Sequence, residues 1–517
     1  MKRHLVSALT LSLIAGLAGA ADNTKSVAPA SAKIASGTMA SGIAVEYIDP
    51  AVRAQDDLFT HMNGKWLATT EIPADKASWG SFAKLRDDIQ PQLRSIIEGA
   101  ASNKAGGAEA QRIGDFYASF MDEARLEQLG LTPLNAEMAK IAAISDKKQL
   151  PALISHLNQI GVTAPYNYGV HQDNKDSTKY VADLYQDGLG LPDRDYYLKA
   201  DDAKMADALA KYELHIGKML TLAGDPHGAV TAHAIVEFEK ELAKIQWTKV
   251  ELRDPVKAYN KVDIAKLGAT APGYDWNAYL ADAGVAGKVS YVIVSQPSYL
   301  KGMTALLDST PLDTLKAYFQ WHLLRSNAPY LSKAFVDENF SFYGTVLSGV
   351  TEQRPRWKRG VSVTEGALGE AVGKIYVEQN FPAERKARMQ ALVNNLLAAY
   401  KTSIDQLDWM SPVTKKQAQE KLAKFTTKIA YPDHWRDYSK LTVAKDDLVG
   451  NVLRSREFEY NKELAKLGKP IDRAEWGMTP QTVNAYYNPE MNEIVFPASI
   501  LQAPFFNADA DDAVNYG

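Results

Sequence analysis

The chain has 517 residues, no cysteine, nine histidines and a formal net charge of −4, from 58 Lys and Arg against 62 Asp and Glu. Zero cysteine excludes disulfide scaffolds, cysteine-ligated zinc, iron–sulfur clusters, thiol catalysis and an acylated lipoprotein anchor. With 46% hydrophobic and 23% charged residues the composition is that of a globular protein of about two to four domains, and the near-neutral charge argues against a nucleic-acid binder.

Lys2 and Arg3 precede an apolar run from Leu5 to Leu17, and Ala18-Gly19-Ala20 follows. That order of positive, apolar and small residues is a secretory signal peptide over residues 1–20. It predicts a bacterial periplasmic or secreted protein, with no membrane association after cleavage. Residues 21–45 are rich in Ala, Ser, Thr and Gly without apolar period and read as a flexible tether. Helical patterns dominate from about Asp56. Met205 to Met219 and Ala229 to Ile245 read as two helices separated by the turn Gly224-Asp225-Pro226. A strand is predicted over Val289 to Val294. Met389, Leu392, Val393, Leu396, Tyr400 and Ile404 follow helical spacing. Ser411-Pro412 then predicts a helix start whose apolar face carries Ala418, Leu422 and Phe425. Near the end, strands are predicted over Val483 to Tyr487 and Ile494 to Phe496, with Asn488 to Asn492 as the turn. No internal repeat occurs at a fixed period, which excludes a solenoid.

The chemistry-bearing residues are few. None of the nine histidines belongs to an H-E-x-x-H. His233 and Glu237 stand one helical turn apart and read as a solvated or buried hydrogen-bonded pair rather than a ligand set. Gly188-Leu189-Gly190-Leu191-Pro192-Asp193 opens like a dinucleotide fingerprint but lacks its third glycine, so a structural turn is expected. Arg354-Pro355-Arg356-Trp357-Lys358-Arg359 could bind phosphate or nucleic acid. Given the overall charge, the reading preferred is a solvated helix end paired with acids such as Glu352 and Glu365.

The strongest signal runs from Val483-Asn484-Ala485-Tyr486-Tyr487 through Ile494-Val495-Phe496-Pro497 to Phe505-Phe506. An exposed edge strand can pair with an extended peptide, and an asparagine side chain can satisfy both a peptide N–H and a C=O. From the residues alone a plain structural hairpin stays open. The segment resembles the one preceding the zinc helix in the neprilysin family of zinc metalloendopeptidases, which includes the endothelin-converting enzymes and the bacterial PepO type. Asp56-Asp57-Leu58-Phe59, Asn63-Gly64-Lys65-Trp66-Leu67 with Ile72-Pro73, Gly188 to Leu198, Gln296-Pro297-Ser298-Tyr299-Leu300 and the Arg354-to-Glu365 region also match it in order.

The resemblance implies a mostly α-helical fold with minor β, in two lobes: a helical cap, and a thermolysin-like catalytic lobe. It divides the chain into residues 46–435 as the helical N-terminal region, 436–480 as connecting helices and 481–517 as the start of the catalytic domain. It implies short peptide substrates, a monomer, zinc in the complete enzyme, and Asn484 and Ala485 as the pair that holds the substrate backbone. A family arginine that binds the free carboxylate of substrates in mammalian neprilysin is matched here by Ser78, which favours endopeptidase action over release of C-terminal dipeptides. Ala513-Val514-Asn515-Tyr516-Gly517 matches the family just upstream of the zinc helix, and no H-E-x-x-H follows. Neither catalytic nor metal residues can be assigned, so the expectation is a truncated copy that binds no zinc and is inactive alone. The alternative is a catalytically dead, exported module that binds peptides or a partner. A third idea is that a separate chain supplies the missing part. Loss of the downstream helices is expected to leave Ile494, Phe496, Phe505 and Phe506 exposed.

Overall fold

The computed structural model describes residues 41–102 and 106–517. The signal peptide and nearly all of the tether expected over residues 1–45 lie outside the described residues. Helices dominate, and seven strands form two small sheets among the described residues. Each predicted helix is present, with ends set by local chemistry. Asp202 caps the Ala203–Leu222 helix by accepting from the backbone N–H of Lys204 and Met205. Gly224 follows at φ +95°, a left-handed conformation that glycine adopts without a Cβ penalty, and lets the chain reverse into the Gly228–Ile245 helix. Ser411 Oγ accepts from Thr414 N at 3.2 Å to start the Pro412–Ala423 helix, as its Ser-Pro signature predicts. That helix buries no residue, and Phe425 stands beyond its end rather than on its face.

The larger sheet has the order β1-β2-β4-β3, with β1 Tyr166–Asp173, β2 Asp176–Gln186, β3 Lys261–Asp263 and β4 Tyr291–Val294. Only β4 is the predicted strand, trimmed at its start. The β1–β2 hairpin went unpredicted although its tyrosines alternate: Tyr166 and Tyr168 face the core from one strand, Tyr180 and Leu184 from the other. The smaller sheet has the order β5-β7-β6, with β5 Thr426–Ala430, β6 Tyr486–Asn488 and β7 Glu493–Pro497. β5 runs parallel to β7 and β6 antiparallel to it, so β5 and β6 are the two edge strands.

Two hydrophobic cores organise these elements, and they are nested along the chain rather than sequential. One gathers residues from Leu134 to Phe342 around Tyr166, Tyr212, Trp276 and Trp321. The other joins Leu85 to Leu126 with Val361 to Phe506. The chain therefore leaves the second core near Leu126 and returns to it after Phe342. Between residues 436 and 480, where connecting helices are expected beyond those predicted from apolar spacing, stands the helix Leu448–Leu464. It gives Leu448 and Val452 to one core and Val449 and Leu464 to the other. Tyr330 also packs against both.

The terminal segment is not the exposed patch expected. Phe506 is 5% exposed, and Ile494, Phe496 and Phe505 are half-buried. Phe505 lies against Phe82 with ring centroids 4.3 Å apart. The partners come from the start of the chain, which sequence adjacency could not reveal. Burying one such side chain contributes about 1.5–3 kcal/mol.

Candidate functional site

Asn484 lines a cavity of about 900 Å³ whose wall also carries Ser78, Arg86, Gln90, Arg354 and Glu365. Clefts that take small ligands span roughly 300–1,000 Å³. Four stretches meet here: the loop after Asp75, the Ser81–Asp88 helix with the start of Gln90–Ser102, the first turns of Arg356–Asn380, and the loop Thr479 to Asn484. The last loop is tied down on its inner side. Gln481 Nε2 donates to Gly369 O at 2.9 Å, Ser499 N donates to Pro480 O at 2.9 Å, and Val483 is 4% exposed. Gly369 and Gly373 leave room for it, since a Cβ at Gly373 would stand 2.6 Å from Gln481 Oε1.

Asn484 itself is exposed and Ala485 half-buried. The predicted strand from Val483 is shorter than expected: β6 begins at Tyr486, so both residues lie just ahead of it. The cause is local hydrogen bonding. Asn484 N donates to Thr482 O at 3.0 Å and Ala485 N donates to Asn484 Oδ1 at 2.9 Å, a turn-type pattern that competes with ladder formation. Asn484 Nδ2 has no partner among the described residues, and its donors remain available.

The cavity wall carries both charge signs. Burial pushes the Glu365 carboxyl up to about 7, with Gln481 and Arg354 acting in the opposite direction. The wall's charge therefore changes across the neutral range. Burial also pushes Asp87 up, but hydrogen bonds from Lys358 and Lys76 more than offset it and hold its carboxyl below the usual range. Gln90 Oε1, Gln481 Oε1 and Arg354 Nε are buried without a hydrogen-bond partner. Orphaned polar atoms around one cavity are unusual in a finished interior and fit a wall that bonds a guest. The serine at position 78 does not leave this wall without a guanidinium, because Arg86 and Arg354 both line it.

The basic cluster is half-buried and paired, though not with Glu352 and Glu365. Lys358 reaches Asp87 at 2.9 Å, and Arg356 reaches Glu123 at 3.0 Å. Arg94 covers the Trp357 ring, 4.9 Å from its centroid. These acids stand more than 200 positions earlier in the chain and join the helix to the second core. Glycines 188 and 190 serve structure, as expected. A Cβ at Gly190 would lie 1.6 Å from Tyr212 Oη.

The histidines are engaged elsewhere. His233 pairs with Glu213 on the neighbouring helix at 3.0 Å rather than with Glu237, which bonds Lys240. His156, His171, His215 and His322 each face one carboxylate, those of Glu137, Asp183, Glu338 and Glu239. Among the described residues no three His, Asp or Glu side chains converge on a point that could hold a metal ion. The residues present therefore do not fit a zinc site, which needs three ligands and an open position.

Two cores joined by one shared helix, and a free strand edge emerging beside a large mixed-polarity cavity, define a mainly helical, neprilysin-like fold. Profiles described as Peptidase family M13 match residues 54–432 and 484–517, and the chain belongs to that family of metallopeptidases. It is 30% identical over 509 residues to an endothelin-converting enzyme homolog of Locusta migratoria, covering 92% of this chain and 69% of that protein. To endothelin-converting enzyme 1 of Bos taurus it is 30% identical over 488 residues, covering 91% of this chain and 64% of that protein. The chain thus spans about two thirds of the length of these curated relatives. Its structure is similar to that of the Mycobacterium tuberculosis zinc metalloprotease Zmp1 in complex with inhibitor, with TM-score 0.88, 45% identity, and coverage of 93% of this chain and 73% of that one. No helix among the described residues is long and apolar enough to cross a membrane.

Proposed function

We propose that these 517 residues form the peptide-holding wall and the enclosing helical lobe of a zinc metalloendopeptidase, exported through the signal at residues 1–20. A short peptide lies extended along the free edge of β6 with one end in the cavity. Asn484 holds its backbone: the Nδ2 donors take a peptide carbonyl, and Oδ1 exchanges the Ala485 N–H for a peptide N–H. Ala485 presents only a methyl group, so the peptide backbone can approach closely. The observation that carries this reading is the position of Asn484, exposed, with unengaged donors, on the cavity wall immediately before an edge strand.

No metal-ligand set converges among the described residues, and the reading is that this polypeptide on its own binds peptide without hydrolysing it. No hydrolytic step is assigned to its side chains. The test is a fluorescence-anisotropy titration of a labelled short peptide. Asn484→Ala removes two hydrogen bonds worth about 0.5–1.5 kcal/mol each. A loss of about tenfold in affinity is expected, with the unfolding midpoint unchanged. Equal affinity for the alanine variant would refute the role of Asn484.

A further inference from the structure

A second concave site lies away from the peptide cavity. Gly161, Arg325, Ser326, Asn339, Tyr343 and Arg456 enclose about 280 Å³. Arg325 comes from the Leu312–Asn327 helix, Arg456 from the Leu448–Leu464 helix that both cores share. Two guanidinium groups thus line one small pocket that contains no acidic residue.

Their hydrogen bonds go to neutral oxygens. Arg325 Nε donates to Tyr343 Oη at 2.7 Å, and the Tyr343 hydroxyl donates onward to Gly190 O at 3.2 Å. Burial pushes that phenol up to about 12, so it is a neutral acceptor at neutral pH. Arg456 donates only to neutral oxygens: Ile160 O at 3.4 Å, Asn327 Oδ1 at 3.3 Å and Ser326 O at 3.0 Å. Its guanidinium also lies 5.9 Å from the centroid of Tyr330. Neither arginine has a carboxylate within salt-bridge distance among the described residues. Glu239 acts on Arg325 at longer range as a partial counter-charge, whereas no carboxylate acts on Arg456. The Nη groups of Arg325, the Ser326 hydroxyl and the Asn339 amide have no side-chain hydrogen-bond partner among the described residues.

Half-buried charges are ordinarily paired, because desolvation without a counter-charge is costly. Two arginines, an amide and a hydroxyl around one small cavity supply donors in the fork geometry that suits a multi-oxygen anion. We propose that this pocket binds a small oxyanion, of the phosphate, sulfate or carboxylate type. The anion completes the charge balance between Arg325 on one helix and Arg456 on the helix shared by the two cores. Its occupancy thereby stiffens the joint between them.

The test is isothermal titration of the 517-residue chain with sodium phosphate, sodium sulfate and sodium acetate at matched ionic strength. Thermal unfolding is followed in parallel with sodium chloride as the control. Saturable binding at one site per chain is expected, with a rise in the unfolding midpoint beyond chloride. Preference for phosphate and sulfate over acetate identifies a tetrahedral anion, and the reverse a carboxylate. Arg325→Gln is expected to weaken binding at least about tenfold. Since that change could disturb folding, Asn339→Asp is the second variant. It places a carboxylate in the pocket, and the anion-dependent shift should vanish while the anion-free midpoint holds or rises. No saturable binding of any of the three anions overturns the proposal. So does an undiminished shift in both variants.

Discussion

Glu239→Ala is expected to destabilise the first core by about 3–5 kcal/mol, the cost of breaking a buried charged network on one side. Glu239 and His322 are both fully buried and 2.9 Å apart. Burial pushes the His322 imidazole down, and the Glu239 contact acts against it. The ring is therefore written neutral, with Nε2–H donating to Glu239 Oε1. The same carboxylate accepts the hydroxyl of Tyr212 at 3.2 Å and that of Tyr197, which in turn accepts the backbone N–H of Leu191 at 3.0 Å. Trp321 Nε1 donates to Tyr212 at 2.9 Å. Alanine strands two hydroxyls and one ring N–H in a dry interior, each costing about 1–3 kcal/mol before relaxation. Glu239→Gln keeps the shape and part of the acceptor set and is expected to cost less than alanine. Urea unfolding followed by circular dichroism measures both. A loss below about 1 kcal/mol for alanine would show that water or rearrangement satisfies the site.

Glu493→Ala is expected to cost a similar amount, about 3–5 kcal/mol, at the smaller sheet. Glu493 on β7 meets Lys428 on β5 at 2.9 Å, with side chains 2% and 9% exposed. Without the carboxylate, the Lys428 ammonium keeps only the Glu475 carbonyl at 2.8 Å. The double variant Lys428→Met/Glu493→Leu should recover most of the loss, because a buried pair replaced by apolar groups of similar size is close to neutral. Because β7 carries β6 and β6 follows Asn484, peptide affinity is expected to fall with the single change and return with the double. A double variant no more stable than the single would contradict an account based on an unpaired charge.

The sequence was most legible where local chemistry decides. Ser411-Pro412 and the Gly224 turn depend on neighbouring residues, and both occur as predicted. The β1–β2 hairpin is hard to read because β2 carries the continuous buried run Tyr180-Val181-Ala182 instead of a strict alternation, in a chain otherwise dominated by helical spacing. The nesting of the cores was not readable, since Leu85 to Leu126 meets Val361 to Phe506 only through tertiary packing. For the same reason the terminal phenylalanines were expected in solvent, when Phe505 packs on Phe82 and Phe506 is buried in the second core. Asn484 is singled out by family resemblance alone, and it lines the cavity. Gln90, Gln481 and Glu365 were not recognisable as wall residues. Polar residues on helices and loops carry no local mark of the cavity they line. Arg354 was noticed as part of a basic run, but its neighbours in that run proved to be structural.

The proposed function turns on peptide binding by this polypeptide without a metal site of its own. Metal analysis of the purified 517-residue chain after incubation with zinc and desalting, paired with a peptide-cleavage assay with and without chelator, tests it most directly. Substoichiometric zinc and no chelator-sensitive cleavage are expected, alongside measurable peptide binding. One tightly held zinc per chain with chelator-sensitive hydrolysis would contradict it.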